Sequence, residues 1–299
     1  MAMMNLNYIG EIAAVATALC WAITSTAFED AGKKIGSVNL NLMRLLFGFI
    51  FLSTFTLISR GQLLPTDATA STWGWLMLSG LIGVVLGDLM LFEAFVRIGA
   101  RISMLIYASV PPLSALFAYL FLGESMTSFQ LIGMFVTILG IALVILDGKG
   151  QKVSLNHPLI GVLLAFGGAV GQAAGYIIGK YGMGDYDAFA STQIRLVAGI
   201  LSFAILFTVR GYWKNFFPIF KEPAKLRSTL VGAIFGPFIG ISLSLFAVQR
   251  INPGVASTLI SITPVILIPY AVFVKKEHVK LRDVIGSVIA ITGLGIMFI

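Results

Sequence analysis

A chain of 299 residues with 58% hydrophobic and only 11% charged side chains, at a mean hydropathy of +0.96, falls outside the ordinary soluble class, in which about a quarter of residues are charged. That much apolar surface needs a bilayer as its solvent, so the chain reads as a polytopic membrane protein. Its formal charge of +7 is spread over short loops between apolar runs, which points to headgroups and topology rather than nucleic acid, and its single cysteine, Cys20, leaves no intrachain disulfide and no cysteine metal cluster.

Ten apolar segments follow in order, at about 6–28, 38–58, 73–96, 102–122, 128–146, 158–179, 188–209, 228–248, 254–274 and 281–299, each near the roughly 20 residues a membrane helix needs. Lipid offers backbone groups no partner, so helices are expected. The first segment has span length and no basic leader, and reads as a span rather than a signal peptide. Gly167, Gly171, Gly175 and Gly179 stand four apart in the sixth segment, as do Ala14, Ala18 and Ala22 in the first. Stripes of small residues let helices approach closely in lipid. The loop 210–227 interleaves Tyr212, Trp213, Phe216, Phe217 and Phe220 with basic residues, the pattern of an aromatic belt at the membrane surface.

The chain is duplicated. Adding 153 carries Arg97 onto Arg250, Pro111 onto Pro264 and Glu124 onto Glu277, and from Gly83 to Gly140 the register gives 12 identities in 58 positions without a gap. Further forward the offset is 151, with Gly10 on Gly161 and Arg44 on Arg195. The slip falls in the loop between the second and third segments, where insertions are tolerated. Five spans in each half, an odd number, force opposite orientations, so the expected fold is all-α with ten transmembrane helices in two inverted repeats. Residues 1–147 form the first repeat, 148–157 an exposed linker and 158–299 the second.

Of the 20 basic residues, only Arg60, Lys180 and Arg250 lie in loops after even-numbered segments, and Arg44 and Arg195 lie inside spans; the rest follow odd-numbered segments. The positive-inside rule then puts the odd loops in the cytoplasm and both termini outside a cell membrane.

Pro111, Gly123-Glu124, Gln130 and Gly133 in the first half, with Pro264, Glu277 and Gly286 in the second, make a pattern that resembles the drug/metabolite transporter superfamily, EamA type. Lys276 departs from it where the family has glycine. The resemblance covers nearly the whole chain. It implies a carrier of small metabolites, often amino acids moved outward, through a cavity between the halves, and it implies cytoplasmic termini, against the charge count.

Candidate site residues follow from polarity inside spans. Asp88 lies about 12 Å inside the third helix, and an intramembrane carboxylate is costly unless it faces a cavity, a partner or a proton path. Its repeat position holds Ile241, so the shared fold does not require the acid. Arg44 approaches from the same side and is its natural partner. Arg44 and Arg195, as repeat mates, read either as snorkelling arginines or as a clamp for a substrate carboxylate. Trp21, Ser25, Gln172 and Tyr176 stand mid-span on helices one and six, and Tyr107, Ser257, Thr258 and Ser261 just precede the central prolines. Pro111 and Pro264 free backbone carbonyls and are the candidate hinges, while Glu124 and Glu277 are expected to cap helices five and ten. Glu93 and Arg97 are four apart and expected to pair.

No P-loop, no metal-ligand cluster and no catalytic motif is present, and the two histidines, His157 and His278, are in loops. The chain is therefore read as a secondary transporter rather than an enzyme, without cofactor. Its partners are a small-molecule substrate, membrane lipids and candidate coupling protons, with no nucleic acid, as a monomer or weak homodimer. A lipid flippase or multidrug carrier of the same fold is the alternative. The charge count predicts that a C-terminal alkaline phosphatase fusion is active and a fluorescent protein fusion dark; the reverse pattern overturns this orientation.

Overall fold

The computed structural model describes residues 8–146, 159–263, 265–268 and 281–298. Every regular element among them is helical: α1 (Ile9–Ile35), α2 (Ser37–Arg60), α3 (Ala70–Ser79), α4 (Asp88–Tyr107), α5 (Val110–Phe117), α6 (Ser128–Leu146), α7 (Leu159–Met183), α8 (Ala188–Arg210), α9 (Trp213–Phe216), α10 (Pro223–Ala233), α11 (Ile241–Arg250), α12 (Pro253–Ile260) and α13 (Leu281–Ile296). Among the described residues, six helical stretches are long and apolar enough to cross a membrane: Ile9–Gly32, Val38–Arg60, Ala70–Leu91, Leu159–Met183, Ala188–Arg210 and Leu226–Arg250. Four shorter apolar helices, Val110–Leu122, Ser128–Leu143, Pro253–Ile268 and Val284–Ile296, stand at the fourth, fifth, ninth and tenth segments.

The duplication recurs in fine structure. α3 runs through a π-helical segment, Gly80–Gly87, into α4, and α10 runs through another, Ile234–Gly240, into α11. In the second, Pro237 lacks the N–H that an α-helical bond would need, a local cause for the wider turn. The residues immediately beyond are Asp88 and Ile241, the repeat mates. The chain also breaks at Ala108–Ser109 and again at Ser261–Ile262, the same repeat position. Pro111 therefore opens α5 within its first turn, where a missing N–H costs nothing. It corrects the expectation of a proline interrupting mid-helix: the break lies just before it. Pro264 and Glu277 lie outside the described residues.

A second correction concerns the turn at 97–101. α4 is helical throughout, yet a straight helix would carry Tyr107 about 28 Å from Asp88. The two interact electrostatically, and Val110 shares a core cluster with Ala169 and Tyr176. α4 is therefore not one straight rod, and Ile98, midway along it, packs on Gly161.

The halves grip each other through glycine. A Cβ on Gly175 would lie 2.9 Å from the Gly83 Cα, and one on Gly171 3.0 Å from the Gly87 Cα, so α7 lies backbone to backbone on the third helix of the other half. α1 meets the α10–α11 helix by setting side chains on glycine, Thr24 at Gly236 and Phe28 at Gly232. α6 and α13 form a third crossing: a Cβ on Gly140 would stand 2.4 Å from the Ala290 backbone N, and one on Gly293 2.5 Å from the Thr137 N. The aromatic loop after α8 packs on itself, with Phe216 buried among Phe207, Trp213 and Phe220, and Phe217 outward at 61% exposure.

Since backbone cannot yield at the α6–α13 crossing, Gly140→Val is expected to destabilise by about 3 kcal/mol or more, read as a fall in melting temperature in detergent. Gly295→Ala, with open space around it, should melt like the parent.

Candidate functional site

The charged residues inside the spans gather at the contact between halves. Arg44 on α2, 2% exposed, forms an ion pair with Asp88, and its guanidinium lies 5.8 Å from the Phe28 ring centre. Asp88 is well placed for this as the first residue past the π segment, on a helix running back toward α2. Arg195 on α8 is also 2% exposed. It interacts electrostatically with Asp88 and with Tyr176, but its Nε and Nη1 have no hydrogen-bond partner among the described residues. Its Nη2 rests against two glycines, where a Cβ would lie 3.1 Å away at Gly83 and 3.5 Å away at Gly175.

Tyr176, 3% exposed on α7, engages the side chains of Gln172 and Ser244 and feels the charges of Arg195 and Asp88. Tyr107, beside the first break, is within electrostatic range of Asp88 and Tyr176. Asp88, Arg44, Arg195, Tyr107, Gln172 and Tyr176 therefore form one cluster drawn from both halves. Ser244, not among the sequence candidates, joins it; its hydroxyl also donates to the Ile241 carbonyl at 2.7 Å. Only its position on the polar side of α11 hinted at this.

Other candidates stand differently. Ser257 donates to the Pro253 carbonyl at 2.6 Å, Thr258 to Gly254 at 2.7 Å and Ser261 to Ser257 at 2.7 Å, so these hydroxyl protons serve their own helix. Trp21 is half-buried against the cluster containing Leu45 and Val84. Ser25 is exposed and bonds the Ala22 carbonyl. Ser109 and Ser114, at the break before α5, have buried hydroxyls without hydrogen-bond partners among the described residues.

Glu124 does not cap α6. The cap is a reciprocal pair in which Thr127 N–H donates to Gln130 Oε1 at 2.9 Å and Gln130 N–H to Thr127 Oγ1 at 3.2 Å. Glu124 instead holds Lys180 of the other half at 2.7 Å, and Lys180 also donates to the Ile251 carbonyl at 3.0 Å. On the same face Arg60 pairs with Asp67 at 2.6 Å, and the Tyr186 hydroxyl donates to Asp67 at 2.7 Å. That hydrogen bond holds the Asp67 carboxyl below its usual range, and burial raises Tyr186. Gln249 donates to the Gly184 carbonyl at 2.6 Å. The face with the even-numbered loops is thus laced across the halves. Glu93 and Arg97 pair at 2.8 Å as expected.

An all-helical, duplicated membrane fold with charges buried between its halves defines a membrane transporter. The EamA-like transporter family model matches residues 8–146 and again 159–299, and the chain belongs to that family. It is 25% identical to an uncharacterized transporter of Clostridium kluyveri over 75% of this chain and 72% of the relative. It is 28% identical to the uncharacterized transporter YvbV of Bacillus subtilis over 62% and 58%, and 25% identical to YyaM of the same organism over 72% and 70%. A crystal structure of a protein 14% identical superposes with a TM-score of 0.76, covering 96% of this chain and 95% of that one, a likeness of fold.

Taking one member from a buried ion pair leaves the other charge without compensation, so Asp88→Asn is expected to cost about 3–5 kcal/mol. The double replacement Arg44→Met, Asp88→Leu should cost less than the single change, measured by denaturant or thermal melting in detergent.

Proposed function

We propose that the protein is a secondary transporter that exports a small amphipathic metabolite of the amino-acid type. Its two five-helix halves, residues 1–147 and 158–299 joined by 148–157, rock about a site between them. The observation that carries this reading is the polar cluster of Arg44, Asp88, Arg195, Tyr107, Gln172 and Tyr176, buried in hydrocarbon and built from both halves. Intramembrane charges of this kind mark pathways more often than they stabilise a fold. The turns before Pro111 and Pro264 are the hinges, and the Lys180–Glu124 and Tyr186–Asp67 contacts separate when the even-loop face opens. We place the protein in the cell membrane, with the termini outside on the Lys/Arg count.

A lateral groove of about 310 Å³ between α3 and α8, lined by Met77, Leu78, Leu81, Leu201 and Ile205, favours lipid as the cargo. It offers a headgroup little, because the hydroxyl of its one polar lining residue, Ser202, donates to the Ala198 carbonyl at 2.8 Å. The metabolite reading is preferred.

Purified protein in proteoliposomes loaded with amino acids should release at least one faster than empty vesicles do, without ATP. Movement of labelled lipid with no solute flux would establish the flippase instead. If Asp88 carries the coupling proton, Asp88→Asn abolishes pH-driven accumulation and spares solute exchange; unchanged pH dependence rejects the coupling.

A further inference from the structure

Resting on the transport reading above, we propose that the site recognises its solute through a carboxylate received by Arg195, and that an ammonium group is not required. The argument comes from a place where the two repeats differ. Arg44 and Arg195 occupy equivalent positions and are equally buried, each 2% exposed. Arg44 has an acid, Asp88, and an aromatic face, Phe28. At the corresponding positions the second half has Ile241 and Gly179. The second guanidinium therefore has no carboxylate from its own repeat, and its neighbour there is the neutral phenol of Tyr176. Its Nε and Nη1 lack acceptors among the described residues, and it lies over the bare backbones of Gly83 and Gly175.

Charge sets the ligand class. Two guanidinium groups share one carboxylate, because Asp88 interacts with Arg195 while it is ion-paired to Arg44. The cluster carries one net positive charge in a region where an uncompensated charge is costly. A monoanion balances it. A phosphate monoester, at about −1.5 to −2 near neutral pH, exceeds it. An amine without a carboxylate adds to the excess, and the cluster's one acid is already taken by Arg44; a zwitterion adds no net charge while its carboxylate still meets Arg195. A carboxylate also matches the planar donor fork of arginine. The side chains of Tyr176 and Gln172 lie alongside to take the remaining lone pairs.

The test uses full-length protein in lipid nanodiscs and matched solutes. Leucine is compared with 4-methylpentanoate, which keeps only the carboxylate, and with isoamylamine, which keeps only the amine. Phenylalanine, 3-phenylpropanoate and phenethylamine form the second series. Titration calorimetry and thermal melting should show binding of the carboxylates, with or without the amine, and none of the amines alone. Arg195→Gln should weaken carboxylate binding about tenfold to hundredfold, with Arg195→Lys between it and the parent. Ile241→Asp, which restores the missing acid, should melt above the parent and lose 4-methylpentanoate binding, and it decides the matter even if Arg195→Gln fails to fold. Binding of amines without carboxylates overturns the carboxylate assignment and leaves the transport reading intact, as does undiminished carboxylate binding in Ile241→Asp. Failure of both series to bind or to cross proteoliposomes, with lipid flux in their place, overturns both.

Discussion

In hydrocarbon an apolar side chain gains nothing by touching another helix instead of lipid, so helices hold together where backbones approach closely or polar groups bond. That constraint orders this molecule. Among the described residues backbones approach closely at Gly80 and Arg195, Gly83 and Gly175, Gly87 and Gly171, Gly133 and Gly293, and Gly140 and Gly286, and each joins one half to the other. On the transport reading proposed above, the surface that holds the protein together is also the surface along which the halves move. Glycine suits both needs, since a crossing without side chains presents few interlocking knobs.

The same close approach explains how charge enters the core. Ser79 donates to the Gly175 carbonyl at 2.6 Å, pinning the third helix to α7 just ahead of the π segment. The wider π turns then deliver Asp88 toward Arg44. On the opposite side of the crossing the Arg195 guanidinium fits because Gly83 and Gly175 leave it room; alanine at Gly83 would press on its Nη2. Burying this cluster is tolerated because the helices around it are already fixed by backbone contact.

Much of this was legible in the residues. A gapless 153-residue register places the π segments Gly80–Gly87 and Ile234–Gly240 and the two chain breaks at equivalent positions, although π geometry itself leaves no clear mark in glycine and valine. The Arg44–Asp88 pair follows from helix direction alone, since helix two starts where helix three ends. Between the third and fourth segments a loop was expected at 97–101, where α4 is helical throughout. Glu124 was misread because its position before a helix fits a cap, while its true partner, Lys180, is 56 residues away in the other half. Thr127 and Gln130 carry the capping signature three residues later. Ser257, Thr258 and Ser261 looked available because a sequence does not show a hydroxyl bonding back to its own helix turn.

The parts of the duplication that differ bear on selection, and the reason is geometric. A single site on the axis relating two inverted halves would, if the halves were identical, present the same groups from both sides. A small solute with one polar end and one apolar end has no such symmetry, so the halves must diverge wherever they touch it. The fold's shared equipment, the glycine crossings, the π segments, the breaks before the prolines and the two arginines, is free to repeat. Among the positions where the halves differ, those around the two arginines are Asp88 against Ile241, Phe28 against Gly179, Ser25 against Tyr176 and Tyr107 against Ile260. On the carboxylate reading proposed above, these differences leave Arg195 without the acid and the ring that Arg44 has and with the Tyr176 phenol beside it, as a cation that an incoming anion can satisfy.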